Sequence, residues 1–195
     1  MRRGGCGYPY VMTAVPISLD DKAAVTRRIT ALSVAVACVL VVIKIVAWRG
    51  SDSVAMLASA ADSGLDLIAS LVTFYAVRYA AAPPDAEHRF GHGKAEAFAS
   101  LVQAGLVFAS AALVAREAIG RLIAPSPVAQ GVWAISVMVV SIGLTLGLIT
   151  AQNWALKSVQ SVAVSGDRAH YASDLASNAA ALIGIAGAAF FGLGQ

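Results

Sequence analysis

The sequence predicts an all-α fold, a polytopic membrane helix bundle of five transmembrane helices. Three observations carry that expectation. Of 195 residues, 58% are hydrophobic and only 13% charged, the latter about half the roughly 25% of soluble domains. Mean hydropathy is +0.75, which a soluble domain of this size does not need. The apolar residues are gathered into runs of the roughly 20-residue length that crosses a hydrocarbon core about 30 Å thick. These values exclude a disordered chain, an acidic tail and a collagen-like fibre.

The first run is Ile29 to Trp48, broken only by Lys44, which is near enough to its end to snorkel. The second spans about Val54 to Ala82 and the third about Ala95 to Ile123. The fourth lies in the charge-free stretch between Arg121 and Lys157, and the fifth includes Leu175 to Gln195 and starts well before it. Pro83-Pro84, Pro125 with Pro127, and Gly166 mark breaks between the runs. Cys6 and Cys38 form neither a disulfide framework nor a CxxC site. Arg2 and Arg3 are not followed by a compact apolar stretch, so no cleaved signal peptide is expected.

The basic residues sort by loop. Arg2, Arg3, Lys22, Arg27 and Arg28 precede the first run, Arg78, Arg89 and Lys94 surround the second connection, and Lys157 and Arg168 flank the fourth. Arg49, Arg116 and Arg121 lie on the other side. This bias places the N-terminus, residues 1–28, in the cytoplasm and Gln195 outside. Orientation thus accounts for the net charge of +3, and no nucleic-acid partner is expected.

Two of the five runs are not uniformly apolar. Ser59, Asp62, Ser63, Asp66, Ser70 and Thr73 recur at helical spacing along one face of the second. His170, Ser173, Asp174, Ser177 and Asn178 do the same in the fifth. Isolated serines and threonines in membrane helices usually bond back to their own helix, but mid-span carboxylates cost about 3 kcal/mol each. Such faces belong inside the bundle, and something must neutralise them. Protons, basic side chains or a cation could do so. Basic side chains are scarce, since Lys44 is the only one inside a clearly apolar run. Asp62 with Asp66, and His170 with Asp174, are i, i+4 pairs, and three carboxylates with one imidazole suit a four-coordinate first-row ion such as Zn²⁺ better than Ca²⁺ or Mg²⁺. For Asp174 to lie level with Asp66, the fifth helix must begin near Gln160 to Val162, with Gly166 inside it.

These motifs resemble the cation diffusion facilitator family. The likeness is densest over residues 50–101, where the run FGHGKAE, Phe90 to Glu96, is highly characteristic, and HYASD, residues 170–174, resembles the HxxxD element of the family's fifth helix. It covers about residues 20–192 and is closest to the bacterial zinc, cadmium and iron efflux branch. The resemblance implies a cation efflux transmembrane domain over residues 29–195, a central metal site of Asp62, Asp66, His170 and Asp174, and a homodimer in a bacterial inner membrane. Several bacterial relatives carry a second metal site in the loop after the second helix, here Asp85, His88 and His92, residues that could equally serve only the turn. The family has six transmembrane helices and usually a cytoplasmic domain, so the sequence is expected to be truncated after the fifth helix.

The implied activity is export of a divalent cation, Zn²⁺ foremost and also Cd²⁺ or Fe²⁺, against protons. The ion is cargo and no cofactor is expected. A non-transporting remnant or one piece of a split transporter is the main alternative. An enzyme is not expected: an intramembrane metalloprotease would need an HExxH helix, and His88, His92 and His170 are the only histidines. A channel is disfavoured because a tight four-ligand site suits stepwise exchange.

Overall fold

A computed structural model describes residues 18–51, 54–123 and 132–190. Five helices account for nearly all of them: α1 (Leu19–Ser51), α2 (Val54–Ala80), α3 (Lys94–Ile123), α4 (Val132–Leu156) and α5 (Val162–Phe190). The fold class expected from hydropathy is the one observed. Gln195, and Pro125 with Pro127, lie outside the described residues, as do Met1 to Ile17.

The helix ends follow local chemistry. Ser18 caps α1: its Oγ accepts the Asp21 N–H at 3.0 Å and donates to Asp21 Oδ2 at 2.7 Å. That cap starts α1 at Leu19, well before the apolar run at Ile29. Pro83-Pro84 follow the end of α2, as expected. Gly91, at φ 78°, makes the left-handed turn that leads into α3. Ser161 caps α5, accepting the Val164 N–H at 3.3 Å.

Gly166 does not break a helix, contrary to one of the two expectations for it. It lies inside α5, where a Cβ would meet Ser100 Oγ at 3.0 Å and Ser100 Cα at 3.3 Å. The glycine therefore permits close approach of α3 and α5, the use of small residues that membrane helix packing favours.

Around the bundle the helices run α1, α2, α3, α5, α4 and back to α1, with α2 also reaching across to α5. Large apolar side chains such as Val46, Ile68, Leu101, Phe108 and Ile183 point outwards, while Thr30, Ser63, Ser70, Thr73, Gln103, Gln152 and Asp167 are buried. A soluble core has the opposite arrangement. A bilayer makes it sensible, because lipid accepts the apolar exterior and the polar groups satisfy one another within. Among the described residues, α1 to α4 each contain a stretch long and apolar enough to cross a membrane. At 29 residues α5 is as long, but its first half carries Asp167, Arg168, His170 and Asp174.

Candidate metal centre

The wet faces of α2 and α5 meet. His170 is 2% exposed and Asp66 7% exposed. His170 Nε2 lies 3.1 Å from Asp66 Oδ1 and 3.5 Å from Asp174 Oδ2. One donor atom from each of Asp66, His170 and Asp174 falls within 4.8 Å of the others. The opposed directions of α2 and α5 produce this convergence, because α5 begins at Val162, as the depth argument required.

Asp62 stands apart from the other three. It is exposed, one turn from Asp66, and lines the same cavity of about 150 Å³ without joining the tight group. Leu113, Val114, Ser177 and Asn178 also line that cavity, which places it on the side of the bundle away from the α2–α3 loop. Buried polar atoms at the centre remain unsatisfied: His170 Nδ1 and Asp174 Oδ2 have no hydrogen-bond partner among the described residues. Orphaned donors and acceptors at buried positions are costly, and their retention points to use.

Lys44 departs from expectation. It does not snorkel to an interface but is buried, at 7% exposure. Its ammonium acts on Asp66, Asp62 and Asp174. Hydropathy showed its distance from the end of the run but not which way the helix turns it. The carboxylates thus have one basic counter-charge, and scarcity of basic partners holds only in number.

Sequence reasoning also missed a polar cluster one turn towards the α2–α3 loop. Asp167 is 0% exposed. Its Oδ1 accepts Gln103 Nε2 at 3.1 Å and Ser70 Oγ at 3.5 Å, and its Oδ2 accepts Gln152 Nε2 at 2.8 Å. Gln103 Nε2 also donates to Thr73 Oγ1 at 2.9 Å, Gln152 Nε2 to Ser33 Oγ at 3.1 Å, and Ser70 Oγ shares a 2.8 Å bond with the Tyr171 hydroxyl. Every helix contributes. Asp167 precedes His170 by three residues, so extending the α5 stripe backwards would have found it. Gln103 and Gln152 also fall on polar lines, Ser100, Gln103 and Ser110 in α3 and Ser141, Thr145 and Gln152 in α4, but those lines are short and uncharged, so they give a weaker signal than the stripes of α2 and α5.

The loop after α2 forms a second cluster. Asp85, His88 and His92 each offer a donor atom within 4.8 Å of the others. Asp85 Oδ1 accepts the backbone N–H groups of Glu87 at 3.0 Å and His88 at 2.6 Å, and lies 3.1 Å from His88 Nδ1. Asp85 Oδ2 lies 3.3 Å from His92 Nε2. The His88 N–H, foremost, holds the Asp85 carboxyl below the usual carboxylate range. His92 is buried beneath Tyr79, with ring centroids 4.4 Å apart, whereas Asp85 and His88 are exposed.

A family model described as the cation efflux transmembrane domain matches residues 30–194. The chain is 46% identical over 153 residues to the cation-efflux pump FieF of Shewanella oneidensis, covering 78% of this chain and 52% of that protein. It is 40% identical over 169 residues to the pump of the same name from Yersinia enterocolitica, covering 86% and 56% of the two chains. For the Cronobacter sakazakii pump the figures are 39% over 166 residues, 85% and 55%. The chain spans about half the length of the curated relatives it matches. By the extent of these matches, and by the helical bundle that accompanies them, the protein belongs to the cation efflux transmembrane domain family.

Proposed function

We propose that this chain is the ion-conducting part of a divalent metal exporter, with Zn²⁺ as first substrate and Cd²⁺ or Fe²⁺ as further candidates, driven by exchange for protons. The observation that supports it most is the meeting of Asp66, His170 and Asp174 within 4.8 Å inside an otherwise lipid-facing bundle. Two carboxylates and an imidazole form a donor set suited to Zn²⁺ and related first-row ions. Asp62, at the cavity edge, is the fourth ligand in this reading, reached by a small movement along α2.

Charge supports a divalent cargo. Three carboxylates set against the Lys44 ammonium leave two negative charges, with His170 neutral. One divalent ion cancels them, and so do two protons. The same pocket is therefore close to neutral in either loaded form, and the empty, fully ionised form is the expensive one in a low-dielectric interior. That asymmetry favours obligatory exchange over a leak. Coordination requires deprotonated ligands, so acid on the receiving side releases the ion.

Ten basic residues on the loop side against three opposite support a cytoplasmic N-terminus. Loading then comes from the cytoplasm and release from the opposite side, where the cavity bearing Asp62 lies. Rocking of the bundle about the ion would alternate access. Assembly as a homodimer in the bacterial inner membrane belongs to the same proposal. The loop group of Asp85, His88 and His92 is a secondary cytoplasmic metal site in this reading.

Proteoliposomes with a pH gradient and an internal zinc dye test the proposal. Uptake should require the gradient and disappear in Asp66→Ala. Normal uptake by both Asp66→Ala and His170→Ala would overturn the site. No uptake by the native chain, with binding preserved, would assign it to a non-transporting form.

A further inference from the structure

Beyond the four proposed ligands lies a buried carboxylate that the exchange cycle does not use. Along the bundle axis there are three levels. Nearest the α2–α3 loop is a vestibule of about 230 Å³ lined by Lys22, Thr26, Glu96 and Ser161. One turn from the candidate ion site is the Asp167 cluster, and beyond it are Asp66, His170 and Asp174. The third level opens to the far-side cavity, while the middle level is shut. Asp167, Ser70, Thr73, Gln103 and Gln152 are each at most 1% exposed.

The shut level is held by hydrogen bonds to one side chain. Asp167 on α5 accepts from Ser70 on α2, Gln103 on α3 and Gln152 on α4. Gln103 Nε2 also lies 3.2 Å from the Ala69 carbonyl, so its two hydrogens are shared among three acceptors. The Oε1 atoms of both glutamines are buried and unpartnered among the described residues. Each amide has thus given up a partner for its oxygen in order to serve Asp167 or a neighbour of it. A carboxylate held by neutral donors from three helices makes a strong but breakable joint. An ion moving between vestibule and candidate site has to pass this level.

We propose that Asp167 is a positioning residue that closes the loop-side gate, by clamping α2, α3 and α4 onto α5, and that loss of its glutamine bonds opens the bundle to the loop side. The inference rests on the proposed exporter for its purpose, but its test uses no metal. Gly166, next to Asp167, already brings α3 within contact of α5. The joint therefore sits where a small separation of helices alters access most.

The experiment is thiol accessibility in sealed membrane vesicles of both orientations. Cys6 and Cys38 are replaced by serine, and Ala69→Cys, at a 0% exposed position beside Gln103, is the reporter. Glu87→Cys, in the exposed loop, identifies the loop side by its own reaction. A membrane-impermeant maleimide should leave the reporter unreacted in the native background. Gln103→Ala, Gln152→Ala and Asp167→Ala should each raise loop-side labelling at least tenfold and leave labelling from the opposite side unchanged. Asp167→Asn should keep protection within about threefold, because one oxygen still accepts and a glutamine can turn its free oxygen to the new amide. A cluster that serves only stability would not give this one-sided change or its rescue by asparagine. Unchanged labelling in the two glutamine variants, both monodisperse by gel filtration, would overturn the gate even if Asp167→Ala fails to fold. The exporter reading would survive that result, just as the gate would survive a failure of zinc transport.

Discussion

The molecule holds two groups of aspartate and histidine with almost the same donor atoms and opposite circumstances. Asp85, His88 and His92 come from eight consecutive residues, and two of the three face solvent. Asp66, His170 and Asp174 come from helices whose contributions are about a hundred residues apart, and they lie inside the bundle. In the loop, Asp85 Oδ1 is already occupied by the N–H groups of Glu87 and His88, so the turn holds Asp85 in place whether or not an ion binds. In the bundle, His170 Nδ1 has no hydrogen-bond partner among the described residues, and Asp174 Oδ2 faces only the His170 ring at 3.5 Å. Identical ligand types therefore carry different weight, and burial without full satisfaction is what separates the proposed transport site from a secondary site built on a turn.

The strongest way to break this contrast is to remove ligands from each group. Asp66→Ala or His170→Ala should lower zinc uptake into proteoliposomes by about 100-fold or more, since a buried site that loses one ligand leaves the others unmatched. Asp85→Ala and His92→Ala should keep uptake within about threefold. Equal losses from both groups would end the distinction drawn here.

Lys44 sharpens it, because it is the one buried Lys or Arg among the described residues and its charge acts on the bundle group. Replacing the ammonium by a neutral side chain of similar length, Lys44→Met, removes a cation that competes electrostatically with the metal. Zinc binding by calorimetry should tighten by about tenfold, equivalent to roughly 1.4 kcal/mol. Transport turnover should fall by a similar factor, because the site then holds its ion in surplus negative charge. Weaker binding would show that Lys44 organises the carboxylates instead of competing with the ion.

How much of this was legible depended on whether a feature repeats. The α2 and α5 stripes were readable because polar residues recur every third or fourth position, and α5 begins at Val162 because depth matching demanded it. The local FGHGKAE run was equally plain. Lys44 was misread because distance along a helix is visible in sequence while its azimuth is not. Asp167 lies three residues before His170, where the α5 stripe begins. Gln103 and Gln152 lie on short uncharged polar lines of their own helices, but their bonds are to a partner on another helix, and a single-helix pattern does not name that partner. Gly166 gave contradictory signals because a break and a close approach both favour glycine, and only the proximity of Ser100 decides between them. Gly166→Ala tests that decision. Its Cβ would press on backbone as well as side chain, so thermal unfolding in detergent should shift by an amount matching roughly 1 kcal/mol, destabilising. A gain would mean that α3 yields easily.

The smallest expected effect concerns the loop and acid. Asp85 gains its stabilisation as an anion, by accepting the His88 N–H, which depresses its protonation below the ordinary carboxylate value. A group depressed on folding contributes stability that is complete above its unfolded value, about 3.9, and is lost only as pH falls through the lower folded value. Between pH 7 and 5 the turn should therefore not change through Asp85, and exchange of the His88 amide should keep constant protection once the intrinsic pH dependence of exchange is removed. Zinc bound at this loop should nevertheless weaken as pH falls, because protons compete with the ion for its donor atoms. Measuring both in the His170→Ala background isolates the loop from the bundle. If amide protection and zinc affinity decline together, the carboxylate is not the fixed element of the turn, and the assignment of Asp85 as primarily turn chemistry fails.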